Sequence, residues 1–360
     1  MKNVVTKAIL CLALIIYILP TSALAAEQDA NEESVSAVAQ DVQVGSRLWE
    51  LLFGGNDEPH RLCPGGGVFG IKIKQSAVTV VESKGIPALS AGDVIISING
   101  KKIQTAEQMR EAISESGGKS LTIRALHGDS EISIEVQPAL IDGEYKLGVS
   151  LRDGAAGIGT ITFIDPKTGR FGGLGHGICD SDSGRVIEME QGEICEVILG
   201  GIHKGEAGKP GELCGILTGE HMGVLSGNNE CGVFGRIEVD DNALPEALEI
   251  GTRDGVHDGE ATIISTLKNG MRAEYRVKIF DVDRTSTGTK SFRVKVTDPM
   301  LIALTGGIVR GMSGSPIIQD GKLVGAVTHV MVADPTEGYG IFIENMLNAS
   351  SQHSVMPKAA

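Results

Sequence analysis

Residues 306–330 read GGIVRGMSGSPIIQDGKLVGAVTHV. Ser313 stands in this stretch between Gly311 and Gly314, and Pro316 opens an apolar run that reads as a strand. A serine hydroxyl is a poor nucleophile unless a tight turn exposes it beside a base. Glycines on both sides permit such a turn, and they let backbone N–H groups converge where an oxyanion would form. The expectation is a nucleophile at Ser313, with the N–H groups of Gly311 and Ser313 as the oxyanion hole. The continuation GKLVGAVTHV reads as a hairpin and then a strand walling a substrate cleft. The pattern is not G-x-S-x-G on a strand-to-helix elbow, which argues against an α/β-hydrolase.

A base is needed. The chain has eight histidines, and His176, His203, His221, His257 and His329 fall in the same strand-rich region as Ser313. His176 lies in FGGLGHGICD, a glycine-rich turn leaving a strand, where an imidazole can face a cleft. His329 is the alternative base, although its place in a strand suits a wall of the cleft better. From about residue 139 to 350, apolar runs such as 160–164, 193–199, 232–239, 272–280 and 323–330 recur between Gly, Asp and Asn turns. Strands at that spacing without intervening helices indicate a barrel or sandwich.

Residues 63–138 read as a separate mixed unit, and 140–150 as a connector with its own short strand. Gly65-Gly66-Gly67 precedes VFGIKI, and AGDVIISING ends in the hairpin signal Asn99-Gly100. Thr105 with Gln108 makes a capping box for a helix carrying Met109, Ala112 and Ile113 on one face. These blocks resemble a PDZ domain. The resemblance implies that a peptide adds as a strand beside the one following the glycine loop, here Val68, Phe69, Gly70 and Ile71.

The N-terminus carries Lys2 and Lys7, an apolar stretch over 8–19, Pro20, and Ala23-Leu24-Ala25. This reads as an export signal over 1–25, with retention as a membrane anchor the alternative. Residues 26–62 begin acidic and polar and read as a spacer or prosegment; the tail 351–360 should be loose. The net charge of −14 with no basic stripe excludes nucleic acid as a partner. Cys195, His203, Cys214, His221 and Cys231 are metal-capable types, but they contain no C-x-x-C pair. Packed thiols are the expectation, with no metal and no cofactor.

The blocks GIGTITFIDPKTGRFGGLGHGICD, residues 157–180, and VTDPMLIALTGGIVRGMSGSPIIQDGKLVGAVTHV, residues 296–330, resemble the SpoIVB peptidases of sporulation. The resemblance implies a mainly β protein, a PDZ-like domain followed by a chymotrypsin-like double β-barrel peptidase. It also implies a catalytic His176, Asp298 and Ser313, with Asp298 orienting the imidazole; Asp165, Asp180 and Asp182 are alternative acids. Residence between the forespore and mother-cell membranes is implied, with cleavage of a membrane-bound regulatory complex to trigger late sigma-factor processing. Self-cleavage near the N-terminus is implied as well. The partners expected are thus a protein substrate at a membrane surface and a PDZ ligand peptide, or the chain itself. The competing readings are a non-catalytic scaffold, a paralogous envelope protease with another target, and a metal-dependent hydrolase.

Overall fold

The computed structural model describes residues 61–181, 184–238, 244–267 and 270–351. The expected signal, most of the acidic spacer, the tail and Asp182 lie outside the described residues. Strands β1 (Arg61–Pro64) and β2 (Val68–Ser83) open the described chain. Along β2 the apolar residues alternate, as a strand with one buried face requires. Phe69, Ile71 and Ile73 enter one core, and Val78 and Val80 another. A register shift between Lys74 and Thr79 separates the two halves.

Beyond β2 come β3 (Val94–Ile98), β4 (Lys101–Lys102), α1 (Ala106–Glu115), β5 (Leu121–His127), β6 (Ser130–Val136), β7 (Ala139–Ile141) and β8 (Glu144–Lys146). The Thr105 hydroxyl caps α1 at Gln108 N, 3.1 Å, and Gln108 reaches back to Gln104 N, 2.8 Å. Met109 and Ile113 then point into the core of this module. Strand β9 (Val149–Ile164) returns antiparallel along β2, from Val149 beside Ser83 to Thr160 beside Val68.

With β10 (Arg170–Gly173), β11 (Met189–His203), β12 (Glu212–Asn229) and β13 (Gly232–Ile237), these strands close a ring. The order is β9–β10–β13–β12–β11–β2, and β2 pairs back onto β9. After β14 (Leu248–Glu249), a second ring forms from β15 (Gly259–Thr266), β16 (Arg272–Phe280), β17 (Phe292–Val296), β18 (Pro316–Gln319), β19 (Lys322–Met331) and β20 (Asp334–Phe342). Helix α2 (Pro299–Thr305) follows β17, and α3 (Ile343–Ser351) ends the described chain. Among the described residues no helix is long and apolar enough to cross a membrane.

The fold class is the expected one: mainly β, a PDZ-type module and two barrels. The seam differs. The PDZ-type module is not a preceding 63–138 unit but an insertion between β2 and β9, and the first halves of β1–β2 belong to the first barrel. Residues 139–152 conversely belong with the module, where Leu147 joins its core and Val149 and Leu151 pack against it.

Candidate active site

The two barrels meet at the turn that carries Ser313. Thr160 N on β9 donates to Ser313 O at 3.0 Å, and Thr160 Oγ1 donates to Gly311 O at 2.7 Å. Two residues on, Thr162 Oγ1 donates to Gly314 O at 2.8 Å. Both threonines are fully buried, so each bond is shielded from water and its loss would leave a buried carbonyl unpaired. The first barrel therefore holds the turn of the second. Neither threonine was singled out from sequence; only their place in the GIGTITF block hinted at a role.

Gly311 and Gly314 have φ of +95° and +94°, the left-handed region that a side chain would strain. Between them the Met312 side chain is fully buried in the second barrel and pins the turn. Around Ser313 the amides are engaged: Arg310 N with Gly211 O, Met312 N with Val309 O, Gly314 N with Val327 O, and Ser315 N with Met312 O. Among the described residues the N–H groups of Gly311 and Ser313 donate to no protein acceptor. Two free, alternating amides on a pinned turn are what a developing oxyanion needs.

His176 comes to the same place from the first barrel. Leu174, in the left-handed region at φ 66°, turns the chain after β10, and Gly175 lies against Thr328 of β19. The His176 ring stands 5.0 Å from that of His329, tilted by 37°. Its Nδ1 lies 2.9 Å from Gly177 O. A carbonyl only accepts, so Nδ1 carries the proton and Nε2 keeps its lone pair, the tautomer of a general base. Burial lowers the His176 pKa below the usual histidine value, and the Gly177 bond opposes this. The ring is accordingly neutral near pH 7.

His329 plays the wall. Among the described residues its Nδ1 is buried without a hydrogen-bond partner. Its pKa is pushed down to about 4, first by burial, then by His176 and Lys290. The Ser313 hydroxyl donates to Thr328 O at 2.8 Å rather than to His176. Attack thus requires the hydroxyl to leave that carbonyl for the imidazole.

Asp298, the orienting acid that the family resemblance implied, makes no hydrogen bond to His176 among the described residues. It is the N-cap of α2, its Oδ1 accepting from Met300 N at 2.9 Å and Leu301 N at 3.2 Å. Its Oδ2 faces Arg276 Nε at 3.6 Å. Burial would raise its pKa, but the amides of Leu301, Arg276 and Met300, with the Arg276 charge, outweigh burial and lower it. Of the alternative acids, Asp182 lies outside the described residues and the other two are engaged. Asp165 holds its own turn through Lys167 N and Thr168, and Asp180 pairs with Arg152. Among the described residues the hydrogen-bond partner of the His176 ring is the Gly177 carbonyl.

The residues expected to receive a PDZ ligand are also corrected. Val68, Phe69, Gly70 and Ile71 pair with β9 on one edge, and the strand pairs with β11 on the other through Gly70 and Ile71. No edge remains there for a peptide, and Phe69 and Ile71 fill the first barrel. The module's open edge is instead the start of β9, residues 149–151, which among the described residues pairs only with β2. Helix α1 flanks it, with Ala106 N donating to Asp153 Oδ2 at 2.8 Å. Gly148, at φ +66°, precedes that edge. The segment Leu147-Gly148-Val149 is the signal that sequence reading passed over as a connector.

The thiols are not uniformly packed. Cys63 and Cys195 are buried, Cys214 and Cys231 half-buried, and Cys179, near His176, is exposed. A shallow depression of about 330 Å³ lies beside the oxyanion turn, lined by Ile158, Glu212, Leu213, Leu217, Arg310 and Gly311 among others.

A family profile described as SpoIVB peptidase S55 matches residues 143–347, more than half of the chain. Two curated proteins named as candidate zinc metalloproteases, from Nostoc sp. (strain PCC 7120) and Lactococcus lactis subsp. lactis, are 33% and 32% identical over 86 and 108 residues. The matches cover 23% and 28% of this chain and about a quarter of each relative's length. Among solved structures, the PDZ domain of the SdrC-like protein of Listeria monocytogenes is 26% identical over 22% of this chain and 93% of that one, with a TM-score of 0.21. The HtrA-type protease AlgW with decapeptide is 11% identical, covering 80% of this chain and 64% of that one, with a TM-score of 0.34. At such TM-scores neither likeness bears on function.

Proposed function

The chain belongs to the SpoIVB peptidase S55 family, and from that membership and the site we propose that it is a serine endopeptidase. The observation that carries the reading is the pair of free N–H groups at Gly311 and Ser313 on a turn whose other amides are engaged. Ser313 Oγ bonds to a peptide carbonyl carbon as its proton passes to His176 Nε2, and the two amides hold the oxyanion. Collapse of the tetrahedral species expels the amine, which takes its proton from His176; water then frees the acyl group by the same route. Strand β18 pairs with β19 only as far as Ala326. The edge from Thr328 onward is where a substrate chain would lie as an added strand.

We further propose, from the family resemblance and the export-type N-terminus, that the chain acts between forespore and mother-cell membranes. Its substrate there is the extracytoplasmic part of a membrane-bound regulatory complex, whose cleavage starts processing of a late sigma-factor precursor. It also trims its own N-terminal segment, and a chain terminus occupies the open edge of β9 beside α1. One observation favours a non-catalytic binding protein instead: the Ser313 hydroxyl is committed to Thr328 O.

The test compares the purified chain with Ser313→Ala, following self-cleavage by gel and mass and turnover of labelled casein. Loss of a serine nucleophile lowers turnover by a factor on the order of 10⁶. Cleavage by the wild type alone supports the peptidase. Equal cleavage by both removes Ser313 from its role, and cleavage by neither favours the binding protein.

A further inference from the structure

The loop end of the β11–β12 hairpin brings together His203, Glu212 and Cys214, metal-capable side chains that nothing in the peptidase chemistry uses. His203 faces Glu212 across the hairpin, and Cys214 lies two residues beyond Glu212, on the same face of β12. Their ligand atoms all lie within 4.8 Å of one another. His203 Nδ1 is 3.0 Å from Glu212 Oε1 and 3.5 Å from Cys214 Sγ. Around a tetrahedral zinc with bonds of about 2.0–2.3 Å, ligand atoms stand roughly 3.3–3.8 Å apart. The two observed separations are close to that, before any ion draws the groups into place. The residue opposite Cys214 is Gly201, where an added Cβ would meet nothing within 4 Å, so the flank of the thiol is open.

We propose that His203, Glu212 and Cys214 bind a Zn²⁺ ion at the loop end of this hairpin. The set of one thiolate, one imidazole and one carboxylate suits a borderline-soft ion and not calcium or magnesium, which take oxygen ligands. Both His203 and Glu212 are exposed, so water completes the tetrahedron. Binding displaces the thiol proton of Cys214 to solvent, and the sulfur lone pair forms the bond to zinc.

The place of the ion gives it a consequence, which rests on the peptidase reading. Leu213, between two of the ligands, donates its N–H to Arg310 O at 2.8 Å, and Arg310 N donates to Gly211 O at 2.9 Å. Arg310 is the residue before Gly311. An ion joining Glu212 and Cys214 to His203 therefore fixes the strand that holds the oxyanion turn, while leaving Ser313 and His176 untouched.

The experiment uses the purified, metal-stripped chain titrated with Zn²⁺ and with Co²⁺ as spectroscopic probe. The expected result is one equivalent of zinc per chain and a thiolate-to-cobalt charge-transfer band that zinc abolishes. Cys214→Ser should lose the band; His203→Ala and Glu212→Gln should weaken zinc binding by about 100-fold or more, beyond the ~10–100-fold of an outer-shell loss. Cys179→Ser, which removes the exposed thiol, should keep both, as should Ser313→Ala. No stoichiometric zinc, or a band that survives Cys214→Ser, overturns the proposal. Circular dichroism of each variant separates ligand loss from misfolding. Because binding is read without catalysis, an inactive protein that binds zinc would refute the peptidase reading and leave the site standing.

Discussion

Replacing Asp298 by Asn separates two roles whose magnitudes lie far apart. Asn caps a helix about as well as Asp, so Met300 N and Leu301 N keep their acceptor. What goes is the charge facing Arg276, whose side chain is 66% exposed. Such a pair contributes about 0–1 kcal/mol, equivalent to a few degrees of melting temperature at most in a chain of this size. The expected outcome is a kcat within about threefold of wild type. Asp298→Ala removes the cap and should cost about 0.5–2 kcal/mol of stability, loosening α2 just ahead of the oxyanion turn. Were the carboxylate orienting His176, the Asn variant would lose about 10⁴ in kcat, or roughly 5.4 kcal/mol of transition-state stabilisation. The assay is self-cleavage and casein turnover beside Ser313→Ala, with a thermal melt of each protein. An Asn variant more than a hundredfold slower at unchanged melting temperature would refute the assignment of Asp298 as a cap alone.

Thr160→Val keeps the shape and the amide bond to Ser313 O but strips Gly311 O of its donor. A buried carbonyl left so costs about 1–3 kcal/mol, and a thermal melt should show it together with a fall in kcat. The base must be neutral to work and burial lowers the pKa of His176, so kcat/KM should fall with acid only below pH 6.5, read from a pH–rate profile. His329 is also held neutral, with a pKa of about 4 against 6.5. Stability it contributes is complete above pH 6.5 and declines as pH falls toward 4. Urea midpoints of wild type should therefore drop more between pH 7 and pH 5 than those of His329→Phe. Lys74 and Gly154 are cross-strand partners, so replacing residues 75–153 by an Asn-Gly hairpin turn should leave a folded pair of barrels. Deleting 63–138 should not, and circular dichroism distinguishes the two.

The turn was legible because its requirement is local: Gly311 and Gly314 stand where φ is positive, and any reading of G-x-S-G finds them. His176 was legible for a related reason, a glycine-rich exit from a strand. Asp298 was only half legible, because Asp-Pro before an apolar run carries a second local meaning, an N-cap with proline at the first helical position. That meaning was available in VTDP, and the resemblance overrode it. The ligand strand misled for the opposite reason. VFGIKI after a glycine run alternates identically whether its edge receives a peptide or another strand of the same chain, and which one depends on β9 and β11, over 80 and 110 residues further on. Long-range pairing also hid Thr160 and Thr162, whose hydroxyls matter only because the second barrel brings Gly311 and Gly314 to them. One strand joins these misses. β9 offers its open edge beside α1 at 149–151 and clamps the nucleophile turn at Thr160, with a single continuous run between. Read as a connector followed by a barrel strand, its two ends have separate tasks. Paired along its length with β2, it is one element that carries both the edge proposed for a peptide and the clamp on the Ser313 turn.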